Sequence, residues 1–213
     1  FKTESSLSEP NILIKSSSKE RKNFDSPGSP CLPDLPRSWL SILLDSCLSV
    51  PIMYNPPESG SDSLEFIEIY NNGTSAIDLT NYSFTQGISH TFNGGSINSG
   101  EYFVLAINSS AFNNVFGFLP NEQWDSGVLS NSGEDIVLLD DLGREVDSVD
   151  YDDGGVWPSG SSTGNPDGGG SSITICNPSL DNNNGANWSR STGKTGVIIN
   201  TFEVLASPGT GDG

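Results

Sequence analysis

Histidine, cysteine and basic residues are scarce in this chain of 213 residues. It has one histidine, three cysteines and nine lysines and arginines, against 27 aspartates and glutamates. An odd number of cysteines excludes a disulfide framework that pairs every thiol. Any catalytic arrangement of a serine or cysteine with a histidine would have to use His90. His90 flanks the start of a short strand segment, so we interpret it as a surface histidine and expect no catalytic residues.

Positive charge is missing from most of the chain. Residues 1–48 hold six basic and six acidic residues, whereas residues 49–213 hold three basic and 21 acidic ones. The whole net charge of −18 therefore lies on the second segment. Such a surface repels phosphate backbones and anionic lipids, so we expect no nucleic-acid partner. Solubility is the simpler explanation of the acidity.

Long hydrophobic runs are also missing. No stretch reaches the roughly 18–20 apolar residues of a membrane span, so none is expected. The nearest approach is 39–50, which Asp45 interrupts and which could be a short signal core. Residues 1–51 are rich in serine and proline and show little periodicity. This composition predicts a poorly structured N-terminal arm that is disordered or weakly ordered.

Short apolar segments alternate with turn sequences from residue 52 onward, at a spacing of roughly ten residues that is typical of an all-β sandwich or barrel. The continuous run 102–107 predicts a central strand that is buried on both faces. Segments 135–139 and 145–151 flank a turn that contains Gly143, which predicts a β-hairpin with a positive φ at that glycine.

A short helix and a last strand complete the predicted elements, at 111–116 and 197–205 respectively. A sandwich packs alternating side chains of two sheets about 10 Å apart. The residues predicted to fill this layer are Ile67, Ile69, Leu79, Val104, Ile107, Val137, Leu139 and Val149. Three tryptophans in turn-rich contexts are predicted to close the open ends of the sandwich, with surface recognition as the alternative: Trp124, Trp157 and Trp188.

Nine short motifs occur in a specific order between residue 52 and the C-terminus. The strongest is 129–140, Leu-Ser-Asn-Ser-Gly-Glu-Asp-Ile-Val-Leu-Leu-Asp. The others are 52–57, 65–71, 77–82, 100–106, 151–158, 178–182, 186–188 and 207–210. Their order resembles that of bacterial lamin tail domains. Two features depart from the family: Val50-Pro51 stands where bacterial members usually carry Asn-Glu, and 193–205 looks like an insertion.

The resemblance implies an immunoglobulin-like β-sandwich of short antiparallel strands over residues 52–213, after the arm 1–51. Family members include nuclear lamin tails and modules of bacterial secreted or surface proteins, and they act by binding. We therefore expect a non-catalytic module of a larger extracellular or cell-surface protein from a bacterium. It would bind a protein or a cell-surface glycan, or act as a structural spacer. The alternative is an accessory domain of a larger secreted hydrolase, a nuclease or phosphatase, with catalysis elsewhere in the parent chain.

Acidic loops are the one candidate for a cation site, and no other cofactor is expected. Asp150, Asp152 and Asp153 cluster beside two glycines, and Asp181 opens the oxygen-rich loop 181–185. Calcium takes six to eight oxygen ligands, of which these loops could supply several. Neither loop has the spacing of an EF-hand, and aspartate and asparagine also form turns for local reasons. We therefore predict that these four aspartates bind calcium, and the alternative is that they serve only to form turns.

Overall fold

The computed structural model describes residues 50–175 and 177–210. Its strands are β1 (Val50–Met53), β2 (Phe66–Tyr70), β3 (Ile77–Asp78), β4 (Ser83–Gln86), β5 (Ile88–Thr91), β6 (Ser96–Ile97), β7 (Tyr102–Ala106), β8 (Glu122–Gln123), β9 (Ser126–Gly127), β10 (Glu134–Leu139), β11 (Glu145–Tyr151), β12 (Ile173–Ile175), β13 (Trp188–Arg190), β14 (Lys194–Ile199) and β15 (Phe202–Leu205). The helix α1 spans Ser109–Phe116, and a single 3-10 turn spans Gly185–Asn187. The predicted arm lies outside the described residues, except that Val50 and Pro51 open the first strand.

The strands form two main sheets, which confirms the predicted immunoglobulin-like all-β sandwich. The six-stranded sheet has the order β13-β12-β1-β2-β7-β8, and the five-stranded sheet has the order β11-β10-β4-β5-β9. All their pairs are antiparallel except β7 with β8. No helix in the described part of the chain is long and apolar enough to cross a membrane.

The main core lies between the two sheets, and four of the predicted core residues belong to it: Ile67, Ile69, Leu79 and Val149. The prediction for β10 is wrong by one position. Ile136 and Leu138 belong to this core, whereas Val137 and Leu139 do not. The reason is that four consecutive apolar residues carry no alternation, so the sequence does not specify which face of the strand is inward.

A second core covers the outer face of the six-stranded sheet. Phe66 and Val104 project from that sheet and meet Phe112 of α1 and Val204 of β15. Val104, predicted for the inter-sheet layer, belongs to this second core instead. The expectation that 102–107 is buried on both faces is confirmed, because a helix and a hairpin cover the side that would otherwise face water.

Two hairpins differ in how well the sequence predicted them. The β10–β11 hairpin is confirmed, and Gly143 has the positive φ of 74° that its turn requires. The single last strand predicted over 197–205 is wrong, since the chain reverses between β14 and β15. Asn200 and Thr201 form this turn with φ of 47° and 76°. A non-glycine pair at positive φ is uncommon, which is why no turn was predicted there.

Candidate functional site

Three loops meet at one end of the sandwich, which we call the acidic end because two of these loops and the first position of β10 carry acidic residues. They are 54–65 before β2, 128–133 before β10 and 152–172 after β11. Antiparallel pairing of β1 with β2 and of β10 with β11 brings them together. Tyr54 and Tyr151 join the two sheets there, with ring centroids 5.1 Å apart. The acidic residues of these loops and of the first position in β10 are Glu58, Asp62, Glu65, Glu134, Asp152, Asp153 and Asp167.

Glu65 is a buried carboxylate in the middle of this end, with 1% of its surface exposed. Its Oε2 accepts a hydrogen bond of 2.9 Å from the backbone N–H of Leu129. Its Oε1 has no partner among the described residues. Burial raises the pKa of Glu65 to about 8, against the opposing effect of the Leu129 bond and with help from the charges of Asp62 and Glu134. Near neutral pH this side chain is therefore largely protonated.

Tyr54 is the second buried polar group of the acidic end, with 1% of its surface exposed. Its hydroxyl is buried and has no hydrogen-bond partner among the described residues. Burial raises the pKa of Tyr54 strongly, and the charges of Asp167, Asp153 and Asp152 raise it further. The hydroxyl thus lies within electrostatic reach of three carboxylates and without a bond to any of them.

Two of the predicted calcium ligands are brought to one side of the sandwich by Asn183. Its Oδ1 accepts a hydrogen bond of 2.8 Å from the backbone N–H of Asp150, and its own N–H donates to Oδ1 of Asp181 at 3.0 Å. Asn183 also covers part of the free edge of β11, where Ser148 N–H is bonded by the Asp147 side chain. Blocking backbone groups in this way protects an edge strand from pairing with another chain.

The other two predicted ligands, Asp152 and Asp153, lie at the acidic end. Oδ1 of Asp152 accepts a hydrogen bond of 2.8 Å from Gly154 N–H, which is the geometry of an aspartate turn. Across residues 50–175 and 177–210, no three histidine, cysteine, aspartate or glutamate side chains are grouped to hold a metal ion. Calcium binding by Asp150, Asp152, Asp153 and Asp181 stays a prediction.

The tryptophans close the sandwich, as predicted. Trp124 and Trp188 are each 4% exposed and belong to the main core. Trp157 packs against Trp188 with ring centroids 5.6 Å apart, and a Cβ on Gly185 would lie only 2.6 Å from Cγ of Trp157. Trp188 also donates its indole N–H to the carbonyl of Asn182 at 2.8 Å. These rings are used in packing, which argues against the alternative of surface recognition.

The prediction for His90 is wrong, because this histidine is only 4% exposed. Its Nε2 lies 2.9 Å from Oε2 of Glu122, and its Nδ1 lies 3.5 Å from Oδ2 of Asp125. The ring also packs edge-on against Phe92, with centroids 4.7 Å apart. Segment 122–127 passes from the six-stranded sheet to the five-stranded sheet at this point. His90 therefore connects this segment to β5 through Glu122 and Asp125. A lone histidine in the sequence carries no signal for such a role.

Comparison with known proteins supports the resemblance over the segment that holds the first five motifs, from 52–57 to 129–140. The model of the Lamin Tail Domain family matches residues 50–153. These residues belong to the lamin tail domain family. No curated protein matches the chain in a sequence search. The described residues after the matched segment continue the same sheets, since β12 of the later segment pairs with β1.

Two buried glutamates connect motifs that lie far apart in the sequence. Glu65 in motif 65–71 bonds Leu129, the first residue of motif 129–140. Glu68, in β2, is 2% exposed and accepts a hydrogen bond from Gly209 N–H in motif 207–210. Neither residue was singled out from the sequence, because a glutamate is rarely buried in full. Both carboxylates bind loop backbone instead of facing water.

Proposed function

We propose that this chain is a non-catalytic lamin tail module of a secreted or surface protein from a bacterium, acting in binding or as a structural spacer. A partner protein or a cell-surface glycan is the expected ligand, and neighbouring domains belong to the same parent protein. The family match supports this proposal, together with the way in which the buried carboxylates are used.

The observation that carries the proposal is that the buried carboxylates hold loops in place. Glu65 bonds the backbone of Leu129, Glu68 bonds Gly209, and Oδ1 of Asp140 accepts from the N–H groups of Leu142 and Arg144. A catalytic carboxylate has to be within reach of its substrate and able to exchange a proton with it. These side chains instead fix the conformation of the loops, which suits a rigid recognition surface or spacer.

A hydrolase screen of the purified chain tests the proposal. Phosphodiester, phosphomonoester, carboxylic ester and glycoside substrates should show no turnover above a protein-free blank, for the wild type and for Asp141→Asn alike. If the ligand is a surface glycan or protein, the chain should sediment together with isolated bacterial cell walls. Turnover that disappears in Asp152→Asn or Asp153→Asn would support a hydrolase and contradict the proposal.

A further inference from the structure

The acidic end carries carboxylates that form no ion pair among the described residues. Six of its carboxylates are at least partly exposed, those of Glu58, Asp62, Glu134, Asp152, Asp153 and Asp167. None of the ion pairs in the described residues involves an acidic residue of this end. Arg190 lies at the same end but donates to the Asn165 side chain at 3.0 Å.

Local hydrogen bonds use only part of the capacity of these carboxylates. Asp167 accepts from the Asn55 amide at 2.6 Å through Oδ1, and Asp152 accepts from Gly154 N–H through its own Oδ1. An ionised carboxylate can accept about four hydrogen bonds, so the second oxygen of each remains available to a further donor. The aspartates are therefore held in position and can still accept N–H groups.

The hydroxyl of Tyr54 is an independent sign that a group is missing from this end. A buried polar atom without a hydrogen bond is unfavourable, and most such atoms in native proteins have a partner. This hydroxyl has no partner among the described residues. Tyr54 packs against Tyr151, which precedes Asp152, and it is followed by Asn55, whose amide donates to Asp167 at 2.6 Å. A donor that entered between these carboxylates could also bond the hydroxyl oxygen.

We propose that the acidic end, centred on Asp152, Asp153 and Asp167, binds a cationic segment of a partner protein through arginine or lysine side chains. The inference rests on the proposed function as a binding module and specifies its partner. A guanidinium carries five N–H donors in a planar fork, which matches carboxylates that are spread over several loops. A metal ion fits less well, because no three acidic side chains in the described residues are grouped closely enough to hold one.

A binding experiment with hexa-arginine and hexa-lysine peptides tests this inference. The full chain is compared with an acidic-end variant, Asp152→Asn with Asp153→Asn and Asp167→Asn, in titration calorimetry at low and moderate salt. The matched control removes three charges at the opposite end of the strands, and its substitutions are Glu101→Gln, Asp141→Asn and Glu145→Gln. All six substitutions keep side chains that can accept hydrogen bonds.

The expected result is binding by the wild type that weakens with added salt. The acidic-end variant should lose about tenfold in affinity, since three partly exposed ion pairs are removed, while the control should stay within about twofold. Equal losses in both variants would show that only net charge matters and would overturn the inference. Asp153→Asn alone gives the same comparison if the triple variant does not fold.

Failure of this inference can be distinguished from failure of the proposed function. A wild type that binds neither peptide overturns the inference alone, because the hydrolase screen and the cell-wall sedimentation use other readouts. Turnover in the hydrolase screen contradicts the proposed function whatever the peptides do.

Discussion

Glu65 and Leu129 are joined by a buried hydrogen bond of 2.9 Å between residues 64 positions apart in the sequence. The bond connects the first position before β2 to the loop before β10, and thus connects the two sheets at the acidic end. Because Glu65 is buried and has a raised pKa, its deprotonation at high pH places an unfavourable charge inside the fold, although the Leu129 bond favours the charged form. This gives the fold a buried titratable group close to the acidic end.

Glu65→Gln should remove a large part of the pH dependence of stability. The folded pKa of about 8 lies above the ordinary value of 4.5, so the folded state binds the proton more tightly. The stabilisation is fully present below about pH 4.5 and is lost as pH rises through 8. We expect a loss on the order of 3 kcal/mol between pH 5 and 9 in the wild type, relative to the variant. Urea denaturation at pH 5, 7 and 9 measures it.

Glu145→Gln is the control for this prediction, because Glu145 is exposed at the other end of the β10–β11 hairpin. The free energy of unfolding of the Glu145→Gln variant should vary with pH as that of the wild type does. If Glu65→Gln shows the same pH profile as the wild type, the carboxylate of Glu65 is not the group that titrates.

His90 and Glu122 should be energetically coupled. Their side chains are 2.9 Å apart, and His90 is buried while Glu122 is one-third exposed. Replacing either partner leaves the other without its bond, whereas replacing both removes the interaction itself. A double-mutant cycle with His90→Gln and Glu122→Gln should give a coupling free energy of about 1 kcal/mol at pH 6. Additive effects, with no coupling, would mean that the contact does not hold segment 122–127.

The sequence predicted the sandwich but not its outer layer. Ile67 and Ile69 lie in the core between the sheets, and Gly143 forms the turn of its hairpin, both as expected. Whether a strand has a second covered face depends on distant segments. The burial of Val104 is decided by α1 and by the β14–β15 hairpin, and Glu68 bonds Gly209, which no local pattern indicates.

The candidate site was predicted only in part for the same reason. Asp152 and Asp153 were singled out, but Asp167 and Tyr54 were not. Tyr54 ends a short apolar run and resembles an ordinary core residue, and Asp167 is held next to Asn55 by a hydrogen bond between residues 112 positions apart. Spacing along the sequence cannot show that such groups meet.

Gly185→Ala should destabilise the closed end of the sandwich. The added Cβ would lie 2.6 Å from Cγ of Trp157, a rigid ring that packs on Trp188. Overpacking of this kind costs about 1–3 kcal/mol. Gly154→Ala is the matched control, since its Cβ would meet only a side-chain oxygen of Asp152 at 3.5 Å. Thermal unfolding followed by tryptophan fluorescence measures both, and equal melting temperatures would contradict the packing at Gly185.

Calcium binding by the predicted ligands, if it occurs, should be weak. The side chains of Asp152 and Asp181 already accept hydrogen bonds within their own turns. We expect a Kd no tighter than about 10⁻⁴–10⁻³ M, as for extracellular modules with incomplete ligand sets. Calorimetric titration with calcium, repeated on Asp152→Asn with Asp153→Asn, measures it. No heat in the wild type would show that the calcium prediction is wrong, and submicromolar binding would contradict the weak affinity.

Thr201→Gly should stabilise the β14–β15 hairpin. Thr201 has φ of 76°, a conformation that is strained for a β-branched side chain, and it follows Asn200 at 47°. The substitution creates an Asn-Gly pair, the preferred sequence for a two-residue hairpin turn at positive φ. Relief of strain should exceed the entropy cost of glycine and raise the free energy of unfolding by about 0.5–1 kcal/mol. Thr85→Gly in β4 is the matched control, because Thr85 lies in a strand without a positive φ and its loss should destabilise. If both glycines lower the stability in urea denaturation, the turn at Thr201 is not strained as described.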